Sequence, residues 1–198
     1  EFMENMENSE EMIGGMPPGY NFPGVFPSNG LFSAVEQGDP LAVQEQINNG
    51  MDVNARDISQ MTPLHHAAED GNEDIVTVLI DGDAKVNLQD EEGSTPLHYA
   101  CVYGNNVVAL LLIESGANIM QRNSDGSTAL HIVSYYGHTD VANSVISSMR
   151  EYFDDNTERF LAALNSQDDD GDTPLSIAKE AGNEEIAKIL QNLFDEVV

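Results

Sequence analysis

The sequence is poor in positively charged side chains and in cysteine, and it has no tryptophan. Seven lysine and arginine residues stand against 35 aspartates and glutamates, which gives a formal net charge of -28. A field of this sign repels nucleic acid and anionic membrane and speeds the encounter with a basic partner. The charge therefore predicts no nucleic-acid or membrane partner. A simpler interpretation is that it only keeps the protein soluble and monomeric.

Cys101 is the only cysteine, so an internal disulfide is excluded. A lone thiol is typical of a reducing compartment, which favours the cytoplasm, with the nucleus as an alternative. No apolar run approaches the roughly 18 residues of a membrane-spanning helix, and the N-terminus lacks the pattern of a secretory signal. Glu1 and Phe2, ahead of Met3, resemble a cloning scar.

A four-residue motif recurs along the chain. It stands as Thr-Pro-Leu-His at 62–65 and 95–98, as Thr-Ala-Leu-His at 128–131 and as Thr-Pro-Leu-Ser at 173–176. Two intervals of 33 residues are therefore followed by one of 45. Threonine suits a helix N-cap and proline suits the first helical turn. Each motif predicts the start of a short helix.

A second helix is predicted after each of these. Its apolar residues recur at i, i+3 and i+4, as in Ile75, Val78 and Leu79. Glycine marks the end of the first helix, where a positive φ is expected, and another glycine-containing turn follows the second. The unit is therefore helix, turn, helix and hairpin-like loop.

This unit resembles the ankyrin repeat, whose Thr-Pro-Leu-His-x-Ala-Ala motif is matched by TPLHHAA at 62–68 and TPLHYAC at 95–101. The 33-residue interval is also that of the family. The resemblance covers about 29–196 and implies an all-α ankyrin-repeat solenoid of helix-turn-helix units with β-hairpin-like loops. It also implies a structural, hydrogen-bonding role for the recurring histidine near the start of the first helix.

The chain is predicted to divide into a tail and one repeat domain. Residues 1–28, which contain no basic residue, are expected to be mostly disordered. Within them, 20–27 either dock on the first unit or form a linear motif for a partner. The ankyrin-repeat domain is expected over 29–198, with a cap at each end. Its five units are placed at about 29–56, 57–89, 90–122, 123–167 and 168–196.

The longer interval adds 12 residues to the fourth unit, within about 147–166. They predict a lengthened second helix followed by a short helix that Asn156 or Thr157 caps. Apolar residues of both helices are expected to fold back onto the repeats: Met149, Tyr152, Phe153, Phe160, Leu161 and Leu164. A role for this insert in binding is the alternative.

No arrangement for catalysis or for a metal emerges from the sequence. His65, His98 and His131 occupy one position of successive repeats, too far apart to share a zinc ion. The acidic stretch 168–172 fails as a calcium loop, because Ile177 falls where the closing glutamate belongs. Nucleophile and phosphate-loop motifs are missing too. We expect no enzymatic activity, no cofactor and no metal site.

The variable positions of the first helices predict a binding surface on the concave face of the solenoid. Tyrosine is enriched at interfaces because it combines apolar area with a polar tip. The predicted partner-binding residues of these helices are His66, Tyr99, Val102, Tyr103, Ile132, Tyr135 and Tyr136. For Tyr103 and Tyr136, closing the turn before glycine is an equally weighted alternative.

The loop tips are expected to be acidic. Their carboxylates are Asp57, Asp90, Glu91, Glu92, Asp125, Asp168, Asp169, Asp170 and Asp172. Four of them, Asp90, Glu91, Glu92 and Asp125, complete the predicted binding set. A row of one charge beside an aromatic groove predicts a basic, partly apolar target.

These observations predict a non-catalytic protein–protein interaction module that acts as an adaptor, a scaffold or a stoichiometric inhibitor. One alternative is a structural or assembly-chaperone subunit of a larger complex. An enzyme is the other, and it would need a deep pocket with convergent polar groups.

Overall fold

The computed structural model describes residues 30–154 and 156–195. Within these ranges the chain forms eleven helices and no strand. The predicted tail, including 20–27, lies outside the described residues. The helices are α1 Gly30–Glu36, α2 Pro40–Asn48, α3 Pro63–Asp70, α4 Glu73–Asp81, α5 Pro96–Tyr103, α6 Asn106–Glu114, α7 Ala129–Tyr136, α8 Thr139–Tyr152, α9 Thr157–Leu164, α10 Pro174–Glu180 and α11 Glu184–Asp195.

Ten of these helices form five consecutive pairs, and α9 is an addition. The first helices α1, α3, α5, α7 and α10 contact one another in order, as do the second helices α2, α4, α6, α8 and α11. One hydrophobic core runs between the two rows, with Leu64, Leu97 and Leu130 at equivalent, almost fully buried positions. The prediction of an all-α solenoid is confirmed.

A threonine and a histidine fix the start of α5. The backbone N–H of Thr95 donates to Nδ1 of His98 at 2.9 Å, and Thr95 Oγ1 lies 2.9 Å from the same nitrogen. Because Nδ1 accepts, the ring proton is on Nε2, which donates to the carbonyl of Gln121 at 3.2 Å. His65 and His131 make equivalent contacts at α3 and α7. The structural role that the resemblance implies for this histidine is present.

Polar side chains also join each of the last three pairs to the one before it. Nδ2 of Asn105, just before α6, donates to the carbonyls of Ala68 and Glu69 at 2.9 Å each. Asn183 makes the same two bonds at the end of α7, and His138 makes one at the end of α5. These bonds satisfy carbonyls that a helix end leaves without an intrahelical partner.

The additional residues of the fourth pair have the predicted form. α8 has 14 residues against nine in α6, and the side chain of Asn156 caps α9. Met149 and Phe160 are buried, but Tyr152 is 63% exposed, so its predicted packing is wrong. Successive helical residues are rotated by about 100°, and Phe153, one position later, takes the place against the core instead.

We predict that the free energy of unfolding falls in mild acid because His98 is buried in its neutral form. Burial lowers the pKa of His98 to about 4, against 6.5 for an ordinary histidine. Between these values the unfolded chain binds more protons than the folded protein, so stability falls as the pH falls. From pH 7.5 to 5.5 this histidine accounts for a loss of about 1.4 kcal/mol.

Urea unfolding of the wild type and of His98→Asn at both pH values measures this loss. The other titrating groups are common to both proteins, so the variant should lose about 1.4 kcal/mol less than the wild type over the same interval. Equal losses in the two proteins would show that His98 is not the group responsible.

We also predict that Asn105→Ala lowers the free energy of unfolding by about 2 kcal/mol, because two hydrogen bonds are lost and two helix-end carbonyls lose a partner. Asn143→Ala is the matched control, since Asn143 is exposed on α8. We expect that control to stay within about 0.5 kcal/mol of the wild type. Equal effects of the two substitutions in urea unfolding would contradict a joining role for Asn105.

Candidate functional site

An open groove with a volume of about 930 Å³ crosses the row of first helices at α5, α7 and α10. The loops that precede these helices form one side, and the C-terminal ends of α7 and α10 form the other. Seven of the predicted binding residues line it: Tyr99, Val102, Ile132, Tyr135, Tyr136, Glu92 and Asp125. The structure therefore brings together most of the aromatic set and part of the acidic set.

Four predicted residues, His66, Tyr103, Asp90 and Glu91, are not among those that line the groove. Nε2 of His66 lies 2.8 Å from Oδ2 of Asp57. Glu91 is exposed on its loop, outside the groove. The other two are held by contacts within the protein.

Asp90 closes the loop before α5. Its Oδ1 accepts from the backbone N–H groups of Glu92 at 2.9 Å and Ser94 at 2.8 Å, and its Oδ2 accepts from the Tyr99 hydroxyl at 2.8 Å. Asp90 is only 9% exposed. Its expected place at an exposed loop tip is wrong, because its carboxylate holds the loop together.

The same arrangement closes the other loops. Asp57, Asn123 and Asp168 each accept from the backbone N–H groups two and four residues later. Successive loops are also joined by backbone hydrogen bonds, such as Asp169 N–H to the Asp125 carbonyl at 3.0 Å. The first polar residue of each loop is therefore structural, and the later carboxylates carry the exposed charge.

Two of the four tyrosines of the predicted set are engaged inside the protein. Burial and the hydrogen bond to Asp90 raise the pKa of Tyr99 above its usual range. The hydroxyl of Tyr103 donates to Oε1 of Glu69 at 2.6 Å, and this bond raises the pKa of Tyr103. Tyr99 forms a fixed wall of the groove, and Tyr103 bridges to the preceding helix.

Tyr135 and Tyr136 are the exposed tyrosines of the groove, with 63% and 50% of their surface accessible. Their rings meet edge to face, with centroids 5.1 Å apart, and the Tyr136 ring stacks on His138 at 6.3 Å. Within the described part of the chain, neither hydroxyl has a hydrogen-bond partner. Both rings are therefore positioned and available for contact.

The charge of the groove has one sign. Its carboxylates are Glu92, Asp125, Asp168, Asp170, Asp172 and Glu180, and none of the described residues that line it is lysine or arginine. Asp168 accepts backbone hydrogen bonds within its own loop, and Asp172 accepts one from Ser176 Oγ at 3.0 Å. The side chains of the other four have no bond or ion pair among the described residues. These four, Glu92, Asp125, Asp170 and Glu180, are the free carboxylates of the groove.

Sequence reasoning missed the contribution of α10. Ile177 and Glu180 line the groove, and they are equivalent to Ile132 and Tyr135 one helix pair earlier. The repeat phase could have identified both, but the last unit was treated only as a cap. The groove in fact extends onto the last pair.

No group of three or more histidine, cysteine, aspartate or glutamate side chains within residues 30–154 and 156–195 is placed to hold a metal ion. In the same ranges, no helix is long and apolar enough to cross a membrane.

Comparison with known proteins agrees with the repeat architecture. A family model described as ankyrin repeats (3 copies) matches residues 31–123 and 115–196. No curated protein matches the chain. The matched segments cover well over half of the sequence and contain nearly every described helix. The protein therefore belongs to the ankyrin-repeat family.

Proposed function

We propose that the protein is a non-catalytic interaction module that holds a basic protein partner in the groove across α5, α7 and α10. One observation carries this proposal: four free carboxylates and two exposed tyrosines line a groove without a lysine or arginine among its described residues. Ankyrin repeats are protein–protein interaction modules, and the proposal names the surface and the charge of the partner. An adaptor, a scaffold and a stoichiometric inhibitor would all work in this way.

The two kinds of side chain supply different parts of the interaction. The net charge of -28 steers a basic partner toward the protein, and the free carboxylates orient it at the groove. Tyr135, Tyr136 and the partly exposed Val102 supply apolar area that loses water on binding. Electrostatic attraction therefore governs the encounter, and aromatic contact governs how long the complex lasts.

The shape of the groove favours binding over catalysis. It is open along its length, and its polar groups are spread along loop edges rather than converging on one point. The histidines next to it, His98 and His131, are occupied at both ring nitrogens. The same negative charge opposes self-association, so we propose a monomer that acts in the cytoplasm or the nucleus.

The test is capture of partners from a cell lysate, with identification by mass spectrometry at 50 and 300 mM salt. The groove variant carries Glu92→Gln, Asp125→Asn and Asp170→Asn. We expect the wild type to recover a basic protein, with less recovered at high salt. Because each exposed ion pair contributes up to about 1 kcal/mol, the variant should bind that protein about tenfold more weakly.

The control variant removes the same number of charges from the second helices, with Glu45→Gln, Asp81→Asn and Asp140→Asn. All three residues are exposed and lie outside the groove. We expect it to bind like the wild type. Equal weakening by both variants would mean that net charge alone attracts the partner, and full binding by the groove variant would place the interface elsewhere.

A further inference from the structure

We infer that the groove is built to receive an arginine side chain of the partner, held against Tyr135 and Tyr136. This inference rests on the proposed function, because it names the chemical group that anchors the partner in that groove. The charge of the groove does not explain why two of the four tyrosines on α5 and α7 are hydrogen-bonded within the protein and the other two are exposed.

The four tyrosines on α5 and α7 divide by helix. On α5, the hydroxyl groups of Tyr99 and Tyr103 are bound to carboxylates within the protein. On α7, Tyr135 and Tyr136 are at least half exposed, although their rings contact each other and His138. A pair of exposed but mutually supported rings presents aromatic surface without needing to be ordered when a ligand binds.

A free carboxylate lies on the same side of the groove as Tyr135 and Tyr136, and we call this part of the groove the tyrosine corner. Glu180 is equivalent to Tyr135 in the next helix pair, and α10 packs directly against α7. Nδ2 of Asn183, three residues after Glu180, donates to the Tyr135 carbonyl at 2.8 Å. This bond fixes the end of α10 relative to the tyrosine pair. Glu180 is therefore the free carboxylate of the neighbouring helix that lines the groove beside the tyrosine pair.

Free carboxylates also line the opposite side. Asp125 and Asp170 belong to neighbouring loops that a backbone hydrogen bond joins, and Glu92 lies on the loop before them. α7 separates this edge from the tyrosine pair, and its eight residues span about 12 Å. An extended peptide crosses that distance in about four residues. The groove can therefore take one basic side chain at the tyrosines and another at the loops.

Arginine fits the tyrosine corner better than the other side chains. Its planar guanidinium stacks on aromatic rings and still offers hydrogen-bond donors in its plane to a carboxylate. Lysine is a more strongly hydrated point charge without a stacking face. An apolar side chain would shield the carboxylates from water without pairing them, and an acidic one would be repelled.

The experiment is a titration followed by NMR, with synthetic heptapeptides as probes. Three peptides share the sequence Gly-Ser-Gly-X-Gly-Ser-Gly, where X is arginine, citrulline or lysine. Citrulline keeps the shape of arginine and removes its charge. We expect the arginine peptide to shift the ring signals of Tyr135 and Tyr136 and to bind about tenfold more tightly than the citrulline peptide, with lysine between them.

The variant Tyr135→Leu/Tyr136→Leu keeps the apolar area of the corner and removes both aromatic faces. It should weaken binding of the arginine peptide about tenfold. Tyr152→Leu, an exposed tyrosine on α8 outside the groove, is the matched control and should leave binding unchanged. Because all three residues are exposed, we expect both variants to fold, which their circular dichroism spectra would verify.

Several results would overturn the arginine anchor. They are equal affinities for the arginine and citrulline peptides, no binding of the arginine peptide at millimolar concentration, or unchanged binding by the double leucine variant. The proposed function is judged separately, by lysate capture with the charge variant at Glu92, Asp125 and Asp170. If that variant loses the partner while the double leucine variant retains it, the proposed function stands and the anchor is wrong.

Discussion

The rest of the structure depends on the hydrogen bonds that a buried histidine makes at the start of a first helix. In α5, one ring nitrogen of His98 accepts from Thr95, at the end of the loop that precedes the helix, and the other donates to the carbonyl of Gln121, in the segment that leads from α6 to α7. One side chain therefore fixes where the helix begins and where the next loop lies. Because Nδ1 accepts only while the ring is neutral, protonation at low pH opposes the bond from Thr95.

The loops held in this way decide which polar groups remain for a partner. The carboxylate of Asp90 accepts hydrogen bonds from its own loop and from the Tyr99 hydroxyl, whereas the side chain of Glu92 in the same loop has no partner among the described residues. On the helices, the hydroxyl of Tyr103 donates to Glu69, whereas the hydroxyl of Tyr135 has no hydrogen-bond partner among the described residues. The unengaged acidic and tyrosine side chains of the groove are therefore concentrated on α7, α10 and the loops before them, even though acidic and aromatic residues are spread more widely along the sequence.

The repeat phase was sufficient to predict the helices and the lengthened α8. It could not predict exposure. The repeat phase places Asp90 and Asp125 at different positions of their loops, but only the loop hydrogen bonds show that the first position is structural and that the carboxylate of Asp125 is free. Glu180 was missed because the last unit was assigned only as a cap, although its repeat position is equivalent to that of Tyr135. Tyr152 was misplaced because i+3 and i+4 positions are both compatible with a core face, and at the end of α8 only Phe153, at i+4 from Met149, packs against the core.

Site-specific photocrosslinking tests the central claim most directly. A photoreactive phenylalanine derivative would replace Tyr135 in one protein and Tyr152, outside the groove, in another, and each would be irradiated in lysate. We predict that position 135 crosslinks to a segment of a basic protein with an arginine within a few residues, and that position 152 does not. Crosslinks to the same protein only from position 152, or to segments without basic residues, would contradict it.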